Sequence, residues 1–292
     1  MLSILFIYFG QSASNLKQNY FDILTFKWFL HLNSNTLQEN YSNAFILMLN
    51  YFYLSVILIS VSLVLGFILG YIIGLLSAIY LNSWFDFLVN IITFFVSGVP
   101  IFILAPILID FNESIDAPTL FIPADLINNW VSFTSMVAPM VLIIILSTSI
   151  TINITKSQVL VILKKYYITN MKCNGFSLKQ IIFKGIFKNS LILIFPFLPS
   201  LLMLLVAYTL IIERIFQIPG MSVILLNALK INESNLLILF ILSICFLFLF
   251  FNSLSVFISE LLDSSKSLKY KNASNFSNFL KIKKDLNAKK TI

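Results

Sequence analysis

The sequence predicts an all-α integral membrane protein with about five full transmembrane helices and a short apolar segment at its N-terminus. Hydrophobic residues make up 59% of the 292 residues and charged residues 11%, and the mean hydropathy is +0.95. Several uncharged runs exceed the roughly 20 residues that a helix needs to cross a bilayer. These runs are continuous rather than alternating, which favours helices over the strands of a membrane barrel.

The charged residues are distributed unevenly, and this distribution predicts the orientation in the membrane. Residues 153–188 contain seven lysines and no acid, and residues 260–292 contain eight lysines. Residues 110–130 contain four acids and no base. Positive charge near span ends is retained in the cytoplasm, so we expect the 153–188 loop and the C-terminus to be cytoplasmic. The net charge of +7 is therefore explained by membrane orientation rather than by nucleic-acid binding.

The first elements are an N-terminal region, 1–43, and a long helix. Met1–Phe9 is apolar but only nine residues long, which suits an interfacial anchor or a shortened first span, and residues 10–43 are expected outside. If the short segment crossed, the spans would number six. The next 38 residues, 44–81, carry no charge and predict one long helix. Its small-residue stripe, Gly66, Gly70, Gly74 and Ala78, predicts close packing against a helix of this chain or of a partner.

The remaining spans complete a predicted transmembrane domain over residues 44–263. The second span, about 87–109, contains Pro100 and Pro106, where the helix should bend or break, and Pro100 is grouped with the glycine stripe as a helix-packing residue. Further spans are expected at about 131–153, 189–212 and 235–258. Residues 264–292 form a Lys-rich tail that we expect to be flexible and cytoplasmic.

The sequence offers little for catalysis, and no catalytic or metal-binding residue is predicted. His31 is the only histidine, and the two cysteines, Cys173 and Cys245, lie in a loop and a span and are not expected to pair. Ion-coupled carriers usually have an ionisable residue in the middle of a span. None of the spans predicted here has one. No phosphate-binding P-loop motif occurs. The chain is therefore expected to bind no cofactor and to act as a conduit driven by other subunits.

The basic loop resembles the coupling motif of ABC importer permeases of the oligopeptide/dipeptide/nickel family. That motif resembles D-Y-I-x-T-A-x-A-K-G-L-S, and Tyr167, Ile168, Gly175 and Ser177 match it. Lys184, Lys188 and Asn189 follow at the expected offsets, whereas Asn170, Met171 and Cys173 replace small residues. The resemblance implies that this loop docks on an ATPase. The predicted coupling residues are Tyr167, Ile168, Thr169, Asn170, Met171, Gly175, Phe176 and Ser177.

A second motif is similar to the E-x-x-F-x-x-P-G-x-G signature of the peptide-permease B subunits. Glu213, Phe216, Pro219 and Gly220 match, and Ser222 stands in place of the second glycine. We expect these four residues at the outer gate or at the contact with a binding protein. A plain structural turn and a solvated surface charge at Glu213 are the alternatives. Weaker matches are Val99–Phe102 with upstream Trp84 and Asp86, and Asn252 and Asp263 near the end.

The resemblance implies the type I importer permease fold and a set of partners in a bacterial cell membrane. These are a second homologous permease, two cytoplasmic ATPases that bind ATP and Mg²⁺, and an extracytoplasmic substrate-binding protein. The expected substrate is an oligopeptide or dipeptide, with nickel or another small solute as the alternative. A non-ABC channel or secondary carrier is the competing class of transporter, and a membrane-embedded enzyme is a more distant one.

Overall fold

The computed structural model describes residues 44–123, 129–231 and 234–263, and every regular element among them is helical. The N-terminal region 1–43, His31 and the tail 264–292 lie outside the described residues, so the predictions for them stay predictions. The helices, in chain order, are α1 (Ala44–Ile79), α2 (Trp84–Gly98), α3 (Ile101–Ser114), α4 (Asn129–Leu163), α5 (Tyr166–Cys173), α6 (Leu178–Gln180), α7 (Lys188–Ile194), α8 (Leu198–Ile215), α9 (Met221–Ile231) and α10 (Ser234–Leu262).

Four continuous helical stretches in the described residues are long and apolar enough to cross a membrane. They are Phe45–Ile79, Trp130–Leu163, Leu178–Ile215 and Asn235–Leu262. The bent pair α2 and α3 provides a fifth if it is counted as one span. The prediction of an all-helical membrane protein with about five spans is therefore confirmed.

The turn between α1 and α2 is built from short polar side chains. Asn82 adopts a positive φ of 60°, which asparagine tolerates better than most residues. Ser83 caps α2 by accepting a hydrogen bond from the Asp86 backbone N–H, and side-chain oxygens at this position satisfy an otherwise free donor of the first turn. The connection is thus fixed by local hydrogen bonds.

The predicted break in the second span occurs at Pro100 and not at Pro106. α2 ends at Gly98, α3 begins at Ile101, and their axes differ by 104°. Proline cannot donate a backbone hydrogen bond and disfavours helical geometry at the residue before it, and Val99 is accordingly extended, with ψ 125°. α3 continues across Pro106, since helices in membranes can tolerate one lost hydrogen bond.

Two helices extend beyond the predicted span boundaries. α4 continues to Leu163, ten residues past the predicted end at 153, because the polar stretch that follows the span has no helix breaker. The stretch Leu178–Ile215 is helical throughout but changes type, with a π-helix at Ile181–Phe187 and a 3₁₀ turn at Phe195–Phe197 around Pro196. The 153–188 loop is therefore mostly helical.

The described residues fall into two compact units. One comprises those within 1–156 and 200–250, and the other those within 157–199 and 251–292. In the first unit, α1 packs against α4 along the small-residue stripe. The second unit contains the region matched by the coupling motif, and the Ser255 hydroxyl there donates to the Phe195 carbonyl.

Candidate functional site

The region matched by the coupling motif is a helix–turn–helix whose turn is closed by capping interactions. α5 ends at Cys173, and Gly175 follows with a φ of +75°, a conformation that L-residues with a Cβ rarely adopt. The Phe176 N–H binds the Met171 carbonyl and the Gly175 N–H binds the Lys172 carbonyl, each at 3.1 Å. These two bonds form a Schellman motif, which satisfies the last carbonyls of the helix.

The next helix begins immediately with a capping box. The Gln180 backbone N–H donates to the Ser177 side chain, and the Gln180 side chain accepts from the Ser177 backbone N–H at 3.1 Å. The turn therefore has one helix end and one helix start, each satisfied locally, within the four residues 174–177. We call residues 166–178 the coupling segment.

α5 packs against the π-helix through hydrogen bonds among Tyr167, Asn189 and the Gly185 carbonyl. Asn189 donates to the Tyr167 hydroxyl at 3.0 Å and to the Gly185 carbonyl at 2.9 Å, and the Tyr167 hydroxyl donates to the same carbonyl at 3.2 Å. Ile168 is fully buried. A Cβ on Gly185 would lie 2.9 Å from Ile168 Cδ1 and 3.1 Å from Met171 Sδ. Gly185 thus allows α5 to approach the π-helix closely.

The opposite side of the coupling segment is exposed and partly apolar. Tyr166 is 90% exposed, Leu178 67% and Phe176 37%, and Lys184 Nζ lies 5.9 Å from the centre of the Phe176 ring. Of the predicted coupling residues, Thr169, Asn170, Gly175 and Ser177 are also exposed. Exposed apolar groups beside charges are typical of a surface that another protein covers.

The second motif forms a buried polar cluster around Glu213. The Ser55 hydroxyl of α1 donates to Glu213 Oε1 and accepts from the Met221 backbone N–H at 2.7 Å. The Ser222 backbone N–H donates to Glu213 Oε2 at 2.8 Å. The carboxylate therefore caps the start of α9, where the helix dipole stabilises negative charge. A Cβ on Gly220 would collide with this carboxylate, so a larger residue there would displace the carboxylate from its partners.

Most residues of the second motif are buried, which limits what they can contact directly. Glu213 and Phe216 are fully buried and Gly220 is buried, so the alternative of a solvated charge at Glu213 is wrong. The Phe216 carbonyl accepts a hydrogen bond from the Phe121 N–H at 3.0 Å, and Pro219 is half-buried. The motif therefore acts in this structure as a buried support for the turn at Pro219 and Gly220.

The small-residue stripe of α1 faces α4 of the same chain. A Cβ on Gly66 would collide with Ser147, and one on Gly70 would lie 2.9 Å from the Thr148 carbonyl oxygen. A Cβ on Gly74 would lie 2.8 Å from the Ile152 carbonyl oxygen. Pro100, predicted as a helix-packing residue together with this stripe, is exposed and stands at the N-cap of α3, so its packing role stays a prediction.

One cluster was not predicted from the sequence. Lys156, counted among the lysines of the basic loop, forms an ion pair with Asp86. In the sequence, Asp86 is only an upstream neighbour of the weakly matched Val99–Phe102 motif. The two residues are 70 positions apart, and the one available signal was that each is a lone charge at the edge of an apolar run.

Residues 66–267 match the sequence profile of a family described as the inner membrane component of binding-protein-dependent transport systems. The chain belongs to this family. The match covers more than half of the chain and includes both motifs. Family membership confirms a permease subunit of the ABC importer class, in a multi-pass membrane protein. The channel, secondary-carrier and enzyme alternatives are therefore not supported.

Among curated proteins, the chain is similar to nickel import system permeases named NikB. The protein from Staphylococcus aureus strain N315 is 22% identical over 250 residues, which cover 85% of this chain and 73% of the relative. The protein from strain USA300 is 22% identical over 244 residues, which cover 83% and 71%.

Two solved structures share the fold. One is the MetNI methionine ABC transporter in inward facing conformations, with a TM-score of 0.59 and 15% identity over 74% of this chain and 96% of that one. The other is an amino acid ABC transporter, with a TM-score of 0.57 and 12% identity over 73% and 93%. These likenesses confirm the type I importer permease fold.

Proposed function

We propose that this chain forms, with a second permease, the passage of an ATP-driven importer, and that the coupling segment receives the movement of a cytoplasmic ATPase. The observation that carries the proposal is the exposed apolar surface on a locally capped turn. Tyr166, Phe176 and Leu178 are exposed there. On the opposite face of α5, the Tyr167 hydroxyl binds the Gly185 carbonyl and Ile168 is buried. A short, supported helix of this kind can transmit force, because coupling between distant sites needs a packed element.

The orientation and partners are part of the same proposal. The seven lysines of residues 153–188 support a cytoplasmic coupling segment and a cytoplasmic C-terminus. ATP and Mg²⁺ would be bound by two partner ATPases and not by this chain. An external binding protein would deliver the solute near the loop that the Glu213 cluster holds in place.

The substrate proposal is a peptide, with nickel as the second candidate. The match of Glu213, Phe216, Pro219 and Gly220 to the peptide-permease signature supports a peptide. The names of the Staphylococcus aureus relatives support nickel. Uptake of a radiolabelled dipeptide, a radiolabelled tetrapeptide and ⁶³Ni²⁺ by cells with and without the gene would separate the candidates. Loss of peptide uptake alone supports the first, and loss of nickel uptake alone supports the second.

The coupling role is tested with Gly175→Pro. Proline holds φ near −65° and cannot adopt the +75° found at this position, so the turn must rearrange. We expect the variant to insert into the membrane but to hydrolyse ATP without uptake. The matched control is Gly98→Ala, because a methyl group at Gly98 meets no atom within 4 Å. Normal uptake by Gly175→Pro would contradict the coupling role.

A further inference from the structure

A partly buried ion pair links α4 to the first turn of α2, directly after the turn that joins α1 to α2. Lys156 Nζ binds Asp86 Oδ1 and donates to Asn90 Oδ1 at 2.9 Å. The Lys156 and Asp86 side chains are 15% and 6% exposed. The Ser77 hydroxyl also donates to Asp86 Oδ1, at 2.5 Å, and the Asn82 backbone N–H donates to Oδ2 at 3.2 Å. Both carboxylate oxygens therefore have partners.

The geometry of this pair restricts movement of α4 along its own axis. Asp86 and Asn90 are one turn apart on α2, so they lie on the same face and bind one ammonium group from two points. Ser77 anchors the same carboxylate to the end of α1. A sliding movement of α4 would break the contact with the carboxylate, the amide or both. Losing one of these contacts is unfavourable, because it leaves a partly buried charge short of a partner.

The position of Lys156 places this contact close to the coupling segment along the chain. Lys156 lies seven residues before the end of α4 at Leu163. α5 begins three residues after Leu163. α4 is one continuous helix, so it is the covalent path by which a movement of the coupling segment would reach Lys156. Counting back from Leu163, Lys156 is the first charged residue of α4. Its ion pair is therefore the charged contact of α4 that lies nearest to α5 along the chain.

We propose that Asp86 and Lys156 are positioning residues of the importer, whose ion pair makes α1 and α2 follow α4 when the coupling segment moves. The inference rests on the proposed function, since only a chain driven by ATPases has such movement to transmit. A pair that served stability alone could be replaced by two neutral side chains without consequence, because that replacement leaves no buried charge uncompensated.

The test uses the assembled complex of this chain, its partner permease and the two ATPases in lipid nanodiscs. ATP hydrolysis is measured with and without the loaded binding protein, and the ratio is the readout. We expect the wild type and Lys156→Arg to be stimulated, because arginine keeps the charge. The neutral pair Asp86→Asn with Lys156→Gln should assemble but lose roughly 5-fold or more of the stimulation, the lower end of a coupling effect. Wild-type stimulation of the neutral pair would overturn the proposal.

Lys156→Gln alone keeps the test decisive if the neutral pair does not assemble. The Ser77 hydroxyl and the Asn82 backbone N–H still bind the Asp86 carboxylate, so the substitution removes the ion pair and leaves the local turn bonded. A loss of stimulation of roughly 5-fold or more is expected, and full stimulation would overturn the proposal. Failure of the wild type to bind ATPases or to be stimulated would instead contradict the importer function itself.

Discussion

Gly74→Ala should push α1 and α4 apart, and the size of the effect follows from the contacts around the missing methyl group. A Cβ there would lie 2.8 Å from the Ile152 carbonyl oxygen, 2.8 Å from Thr155 Cβ and 3.1 Å from Ile152 Cα. Carbon atoms pack best at about 3.5–4.0 Å, so the contact with Thr155 is too short by roughly 0.7–1.2 Å. Two of the three atoms belong to the backbone, which cannot rotate away.

The matched control is Gly98→Ala. Both glycines lie in helices, Gly74 inside α1 and Gly98 at the last residue of α2, so part of the gain of about 1 kcal/mol from replacing glycine by alanine is common to both variants. At Gly98 nothing lies within 4 Å of the new methyl group. The difference between the two variants therefore reports mainly the overpacking of α1 against α4, which costs about 1–3 kcal/mol in a well-packed core.

The assay is thermal unfolding of the purified chain in one detergent, followed by intrinsic tryptophan fluorescence. At about 2–4 °C per kcal/mol for a domain of this size, Gly74→Ala should unfold roughly 2–12 °C below Gly98→Ala. Midpoints that agree within about 1 °C would refute the reasoning, since the expected shift is larger. Such agreement would mean that α1 and α4 do not pack at this distance.

Three further predictions concern the polar cluster, the turn and the orientation. Ser55→Ala should destabilise the chain by about 2–4 kcal/mol, because it leaves Glu213 and a buried N–H each short of a partner. Unfolding at the temperature of Ser114→Ala, where an exposed serine binds only its own helix, would contradict this. Gly175→Ala should cost about 1–2 kcal/mol at a positive φ and Gly175→Asn less, measured by limited proteolysis of the turn; equal rates would count against the strain. Cys173 is exposed and should react with a membrane-impermeant maleimide only in inside-out vesicles, whereas reaction in right-side-out vesicles would reverse the proposed orientation.

The apolar runs were sufficient to predict the spans, because a bilayer imposes one length and one polarity on every crossing segment. The uncharged stretch 44–81 predicted a single helix, and α1 extends from Ala44 to Ile79. Pro100 predicted the break in the second span by the loss of a backbone donor. The length of α4 was missed because hydropathy reports where a segment leaves the lipid and not where its helix ends.

The side-chain clusters could not be predicted from local patterns. Ser55 and Glu213 are 158 positions apart, and Lys156 and Asp86 are 70 apart. Neither periodicity nor motif spacing says which polar group of one span meets which group of another. Motif matching singled out Glu213 and Gly220 but not the reason for the glycine, which is the space that the carboxylate occupies.

The sharp bend between α2 and α3 has a consequence for what surrounds it. With 15 and 14 residues, each half rises only about 21–23 Å, less than the hydrocarbon thickness. A helix end followed at once by a helix start presents carbonyl and amide groups that regular helix would have satisfied. Acyl chains offer these groups no partner, so the corner at Val99 must be covered by protein or exposed to water.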